Sequence, residues 1–375
     1  MSNSDSYFTL VVHTPERAER LKEILKFHGV DVKLDDFVVK DSSVAAKSVR
    51  IPVSALEIGL KILESDQVST SPVSIMKISG MGNSLLIPVD FSPASILAVK
   101  IGFVLARKMN VEPIVLHAFL APVFPSEPFG EDLENPGMPE MEEEIDTITD
   151  IHSVAAEQLA KFKKQIINHQ KDGSLPDIHF STTLLEGVPE QVITEYCRDN
   201  KPVMVVMATR GIHRKESDLI GSVTAEVIDS CRVPVFTVPE ECAPLSKDSI
   251  RNILFFCTLT PVDIVNMRAF MKLGDYPSSS IYILPVSDRP FANVTARIED
   301  IAALFSKTYP TASFHYDALG KEKFEDALRS FLDSHDIDVI VVPNKKSTAF
   351  SRFFKPTLAH KILFDKDIPL LVLPV

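Results

Sequence analysis

From Leu85 onward, short blocks rich in Val, Ile and Leu alternate with longer segments whose apolar residues recur at helical spacing. The apolar blocks are Leu85 to Val89, Pro113 to Phe119, Val203 to Met207 and Val233 to Val238, with a weaker alternating stretch at Asp177 to Leu185. An uninterrupted apolar block of this kind suits a strand covered on both faces, as in a parallel sheet flanked by helices. The intervening segments predict helices over Pro93 to Met109, Ile148 to His169, Pro189 to Asp199 and Ser222 to Cys231. Strand and helix alternate, so the expected fold is a doubly wound α/β domain over 82–240.

The rhythm then restarts. Ile253 to Cys257, Ser280 to Pro285, Ser313 to Asp317, Val339 to Val342 and Leu370 to Leu373 supply five further strands. Helices are expected at Val262 to Leu273, Val294 to Thr308, Lys321 to Ser334 and Pro356 to Phe364. Both halves open alike, with Leu85-Leu-Ile-Pro-Val-Asp-Phe-Ser-Pro93 against Ile253-Leu-Phe-Phe-Cys-Thr-Leu-Thr-Pro261. Both also close alike, with Val233-Pro-Val-Phe-Thr-Val-Pro239 against Ile368-Pro-Leu-Leu-Val-Leu-Pro374. Matched ends around one element order indicate a duplication, so 250–375 is read as a second copy. Residues 1–75 fall outside this unit. Phe8 to Val12, Asp31 to Val39 and Val49 to Pro52 read as strands, with helices at Ala18 to His28, closed by Gly29, and at Ala55 to Glu64. That order predicts a small α+β module. The stretches 65–74 and 240–248 read as linkers.

Composition narrows the function. Of 375 residues, 45% are hydrophobic and 24% charged, which is ordinary globular usage. The formal charge of -12 disfavours nucleic acid and anionic membrane as partners. Cys197, Cys231, Cys242 and Cys257 form no C-x-x-C pair and lack histidines at metal-ligand spacing, so reduced structural thiols are expected and no metal site is. The polar start and the lack of any run of roughly 20 apolar residues lead to an expected cytoplasmic location. Residues 121–145 carry five prolines and run into the acidic cluster Glu140, Glu142, Glu143, Glu144 and Asp146. This reads as a solvated flap leading into a helix whose acidic first turn suits the helix dipole.

In a doubly wound sheet, ligands sit beyond the carboxyl ends of the strands where the winding reverses. After the first strand comes Pro88-Val-Asp90-Phe-Ser92-Pro93, where Asp90 ends the strand and Ser92 is placed to cap the helix that Pro93 begins. After the fourth comes Met207-Ala-Thr-Arg-Gly211, and ten residues on, Gly221-Ser222 opens the last helix. Exposed amides at such a helix start can hold phosphate. Arg210, His213, Arg214 and Lys215 in the intervening loop would add positive charge. Metal clusters, a G-x-S-x-G elbow and a G-x-x-x-x-G-K-[ST] loop are all missing from the sequence, which points away from familiar hydrolases and P-loop NTPases. His117, at the end of an apolar strand, reads as a hydrogen-bonded residue rather than a base.

Strand-P-x-D-x-S, followed by a terminal G-x(9)-G-[ST] and a V-P-V strand, resembles the universal stress protein family over 84–240. The second half resembles it only in element order and end motifs. The resemblance implies five-stranded parallel sheets of order 3-2-1-4-5, pairing through the fifth strands as an intramolecular pseudo-dimer or a homodimer, and in some members an adenine nucleotide such as ATP, with Mg. Carried over by position, the adenine and ribose would fall on Pro88, Asp90, Ala118, Met207 and Ala208, and the phosphates on Gly211, Gly221, Ser222 and Val223. A non-catalytic, stress-responsive regulatory role is implied; a nucleotide-free scaffold is the alternative.

The family pattern has three glycines, and Ala208 stands where the first is expected. If that position requires a positive φ, the alanine costs on the order of 1 kcal/mol and adds a methyl facing the ligand. As a ligand contact, Asp90 is expected to be replaceable by alanine with little change in the stability of the free protein. In the second copy Thr258 replaces Asp90, Asn344 to Ser347 replaces the glycine turn and Lys355-Pro-Thr357 replaces Gly221-Ser222. That copy is expected to keep the fold without the site.

Overall fold

The computed structural model describes residues 7–37, 46–55, 58–59, 61–62, 82–120, 141–209, 221–242, 250–257, 261–273, 278–285, 302, 305–316, 324–344 and 367–374. The chain packs as two units, Met81–Ile250 with Lys361–Val372, and Met1–Gly80 with Arg251–His360 and Leu373–Val375.

The first of these units carries the candidate site. Its elements run β4 (Ser84–Pro88), α2 (Pro93–Met109), β5 (Glu112–Phe119), α3 (Met141–Lys171), β6 (Ser181–Glu186), α4 (Pro189–Asn200), β7 (Met204–Ala208), α5 (Ser222–Ser230) and β8 (Val235–Val238). The strands pair in parallel in the order β6-β5-β4-β7-β8, the 3-2-1-4-5 winding expected from sequence. On the far side of β8, Leu370 to Val372 of β13 (Leu370–Pro374) pair antiparallel with Thr237 to Val235.

The central strands are apolar because both faces are covered. Leu85, Leu86 and Ile87 of β4 and Val205 and Val206 of β7 are wholly buried. Helix α2 matches its expected bounds, and both its ends have a physical cause. Ser92 caps its start, its hydroxyl accepting from the Ser95 N–H at 3.1 Å behind Pro93 in the first turn. Asn110 stops it in the left-handed conformation at φ 55°. Gly102 allows α2 to lie on β4, since a Cβ there would sit 2.6 Å from Ile87 Cδ1. Helix α3 begins at Met141, earlier than its apolar period shows, so Glu142 to Glu144 fall in its first turn, where the dipole favours them.

In the second unit, β9 (Asn252–Cys257), α6 (Pro261–Leu273), β10 (Ser280–Pro285), β11 (Ser313–Tyr316), α7 (Phe324–His335) and β12 (Val339–Asn344) repeat the winding. The parallel order β11-β10-β9-β12 corresponds to 3-2-1-4. The helix expected at 356–364 lies outside the described residues, as do 258, 345–347 and 355–357, where the site motifs are replaced. The same unit holds a three-stranded antiparallel sheet of order β1-β3-β2, built from β1 (Tyr7–His13), β2 (Lys33–Phe37) and β3 (Ala46–Pro52) with α1 (Pro15–Phe27). Its order and directions are those of a split β-α-β arrangement.

Candidate functional site

The winding of the first unit reverses between β4 and β7, and the registers there place the sequence-chosen residues side by side. Pro88 pairs with Leu116 and Leu86 with Val205. Extending both ladders puts Asp90 level with Ala118 and Val89 level with Ala208, so Pro88, Asp90, Ala118, Met207 and Ala208 share one end of three adjacent strands. Met207 is buried; the other four are half-buried.

Asp90 is tied into the turn that starts α2. Its Oδ1 accepts from the Ser92 N–H at 3.1 Å and from the Ser95 hydroxyl at 2.5 Å, while its own N–H donates to Ser95 Oγ at 3.0 Å. The side chain is therefore part of the fold, which corrects the expectation that alanine would be harmless there. Between Asp90 and Ser92 the backbone must turn from strand to helix, and Phe91 takes a left-handed φ of 64°. For a residue other than glycine that costs about 1–2 kcal/mol. Packing offsets it: the Phe91 ring lies 4.2 Å from the His117 ring and 5.4 Å from that of Phe162. His117 Nδ1 is 2.8 Å from the Val89 carbonyl oxygen, which can only accept, so Nδ1 donates that bond. This is the hydrogen-bonded role expected of it.

On the neighbouring strand, α5 is fastened to the end of β7. The Thr224 hydroxyl donates to the Ala208 carbonyl at 2.9 Å, and the Gly221 N–H donates to the Thr209 carbonyl at 2.7 Å. Gly221 stands at φ -67°, ψ 149°, so ordinary extended backbone serves and the glycine brings no special conformation. Its amide is also spent. Phosphate donors therefore narrow to Ser222 and Val223, whose N–H groups in the first turn have no intrahelical acceptor. No acidic residue lies in that first turn, so the positive end of the helix dipole is not neutralised within its own helix. Gly211 and the basic loop residues Arg210, His213, Arg214 and Lys215 lie outside the described residues.

Ala208 ends β7 and is not among the residues at positive φ. The strain expected from the missing glycine does not arise; only the methyl group remains as a difference. Sequence reasoning missed Phe91, Ser95, Thr209 and Thr224. Ser95 stands three residues after the capping Ser92, but its hydroxyl bonds the Asp90 amide and carboxylate rather than the Ser92 amide, so no capping-box pattern marks it. Thr209 and Thr224 become visible only once β7 and α5 are brought together.

These features define a doubly wound α/β domain whose switch point carries a capped strand-to-helix turn on one side and a helix start on the other. The universal stress protein family model matches residues 81–239, and that part of the chain belongs to the family. A universal stress protein of Methanocaldococcus jannaschii is 29% identical over 154 residues, which is 41% of this chain and 80% of that one. The crystal structure of a universal stress protein from Archaeoglobus fulgidus covers 78% of this chain and 98% of its own, with a TM-score of 0.53 at 14% identity, a likeness of fold. Among the described residues there is no group of three metal-ligating side chains and no helix long and apolar enough to cross a membrane.

Proposed function

We propose that the protein is a non-catalytic, stress-responsive regulatory protein of the cytoplasm that holds an adenine nucleotide, ATP in the first instance, in the cleft between β4 and β7. The observation that carries this reading is the pairing of the Asp90 turn with the Ser222 and Val223 amides across one switch point. An adenosine lying over Ala118 and Met207 would reach Asp90 with its ribose and α5 with its phosphates. Mg would accompany the triphosphate. The carboxylate accepts from a ribose hydroxyl, and the helix start donates to anionic oxygen, so the two ends of the cleft have the polarity that a nucleoside phosphate needs. As part of the same reading, the two repeats act as an intramolecular pseudo-dimer, with a homodimer as a further level of assembly.

A second reading, a nucleotide-free scaffold acting through protein contacts, is favoured by two observations. The Gly221 amide is already satisfied by Thr209, and the Ala208 methyl stands where the family pattern has a glycine. Ala208→Gly separates the two. Since no backbone strain is released, its effect isolates the methyl, and ATP affinity measured by calorimetry is expected to rise by on the order of fivefold, about 1 kcal/mol. Equal affinity in both proteins would remove the methyl as a determinant. Nucleotide retained through purification and seen by mass spectrometry would favour the binding reading directly.

A further inference from the structure

His117 holds both neighbours of Asp90 at once. Its Nδ1 donates from β5 to the carbonyl of Val89, the residue before Asp90, at 2.8 Å. Its ring lies 4.2 Å from that of Phe91, the residue after Asp90, with the two planes 37° apart. The bonds from the Asp90 carboxylate to the Ser92 amide and the Ser95 hydroxyl stay within the turn 90–95. They fix Asp90 against the start of α2 but not against β5, where Ala118 stands next to His117.

Phe91 needs a restraint of this kind. Its left-handed φ of 64° is unfavourable for a residue that carries a Cβ, and packing of its ring against His117 and against Phe162 of α3 keeps it there. On the strand side the Val89 N–H donates to the Leu116 carbonyl at 2.8 Å, so the backbone already ties that residue to β5. The ring of His117 carries the tie past Asp90 to Phe91.

We propose that His117 is a positioning residue that sets where the Asp90 carboxylate stands relative to Ala118, and thereby tunes the affinity for nucleotide. Its effect on nucleotide rests on the proposed binding function; its hold on Asp90 stands apart from it. The imidazole serves through two separable features, a donor at Nδ1 and a flat ring. Asparagine carries its Nδ2 as many bonds from the backbone as imidazole carries Nδ1, so His117→Asn keeps the donor and loses the ring. His117→Phe keeps the ring and loses the donor, and His117→Ala loses both.

The test uses the full chain and two readouts, MgATP affinity by calorimetry and hydrogen exchange of the Ser92 amide in the free protein. Contacting residues of one network couple, so His117→Ala is expected to weaken MgATP by about fivefold, with the Asn and Phe variants in between. In an Asp90→Asn background, where both turn bonds can still form, the same substitution should weaken binding no further. A residue that only stabilises the fold would instead add its effect in full. The Ser92 amide, whose acceptor is Asp90 Oδ1, should exchange several-fold faster in His117→Ala while amides of β8 keep their rates. Should His117→Ala unfold, the Asn and Phe variants carry the same comparison. Unchanged Ser92 exchange, or full additivity with Asp90→Asn, would overturn the proposal. A parent protein that takes up no MgATP would count against the binding function alone, since Ser92 exchange still decides whether His117 holds Asp90.

Discussion

Replacing Phe103 by alanine is expected to lower the unfolding free energy of the site-bearing unit by about 3–5 kcal/mol. Phe103 is wholly buried on α2, and its ring meets that of Phe180 edge-on at a centroid distance of 5.3 Å. The loss combines transfer of the ring with the cavity left between helix and sheet. The walls have little freedom to collapse. Gly102 beside it already brings α2 so close to Ile87 that even one added carbon would clash at 2.6 Å. Denaturant titration followed by a probe confined to 82–240 checks this, and a loss under about 1 kcal/mol would show that the core repacks freely.

Asp90→Ala is the next largest change, and it acts on stability and on the site together. The carboxylate oxygen that accepts from the Ser92 amide and the Ser95 hydroxyl disappears, leaving two donors at a half-buried turn. Two such hydrogen bonds contribute about 1–3 kcal/mol together. Phe91 makes the turn sensitive, since its left-handed backbone is held only while its neighbours stay in place. Asp90→Asn is the informative companion. Its Oδ1 can still accept both bonds, so stability should return to near the parent value, while an amide replaces the second carboxylate oxygen and nucleotide affinity falls. Melting of the free proteins beside ATP titration reads both effects. If Ala and Asn melt alike, the turn does not depend on that oxygen.

The winding order was legible because strands buried on both faces leave an unbroken apolar signature, as Leu85 to Ile87 do in β4 and Val205 and Val206 do in β7. The start of α2 was legible too, since Ser92 and Pro93 are local signals whose geometry needs no distant partner. The start of α3 was not, because Glu142 to Glu144 interrupt the apolar period from which the helix was read. Within the site, residue types were readable but their commitments were not. Asp90 looked like a ligand contact and is also a turn-former, and the Gly221 amide looked open yet is taken by Thr209. Such commitments depend on which backbone groups β4, β7 and α5 bring together, and no local pattern encodes that.

Titration of the intact, nucleotide-stripped protein with MgATP, followed by calorimetry and by the melting temperature of the 82–240 unit, tests nucleotide binding most directly. One site per chain is expected, with stabilisation of about 2.7 kcal/mol once free ATP reaches roughly 100 times its dissociation constant. A melting curve that does not move at millimolar MgATP, together with no binding heat, would contradict a nucleotide site between β4 and α5.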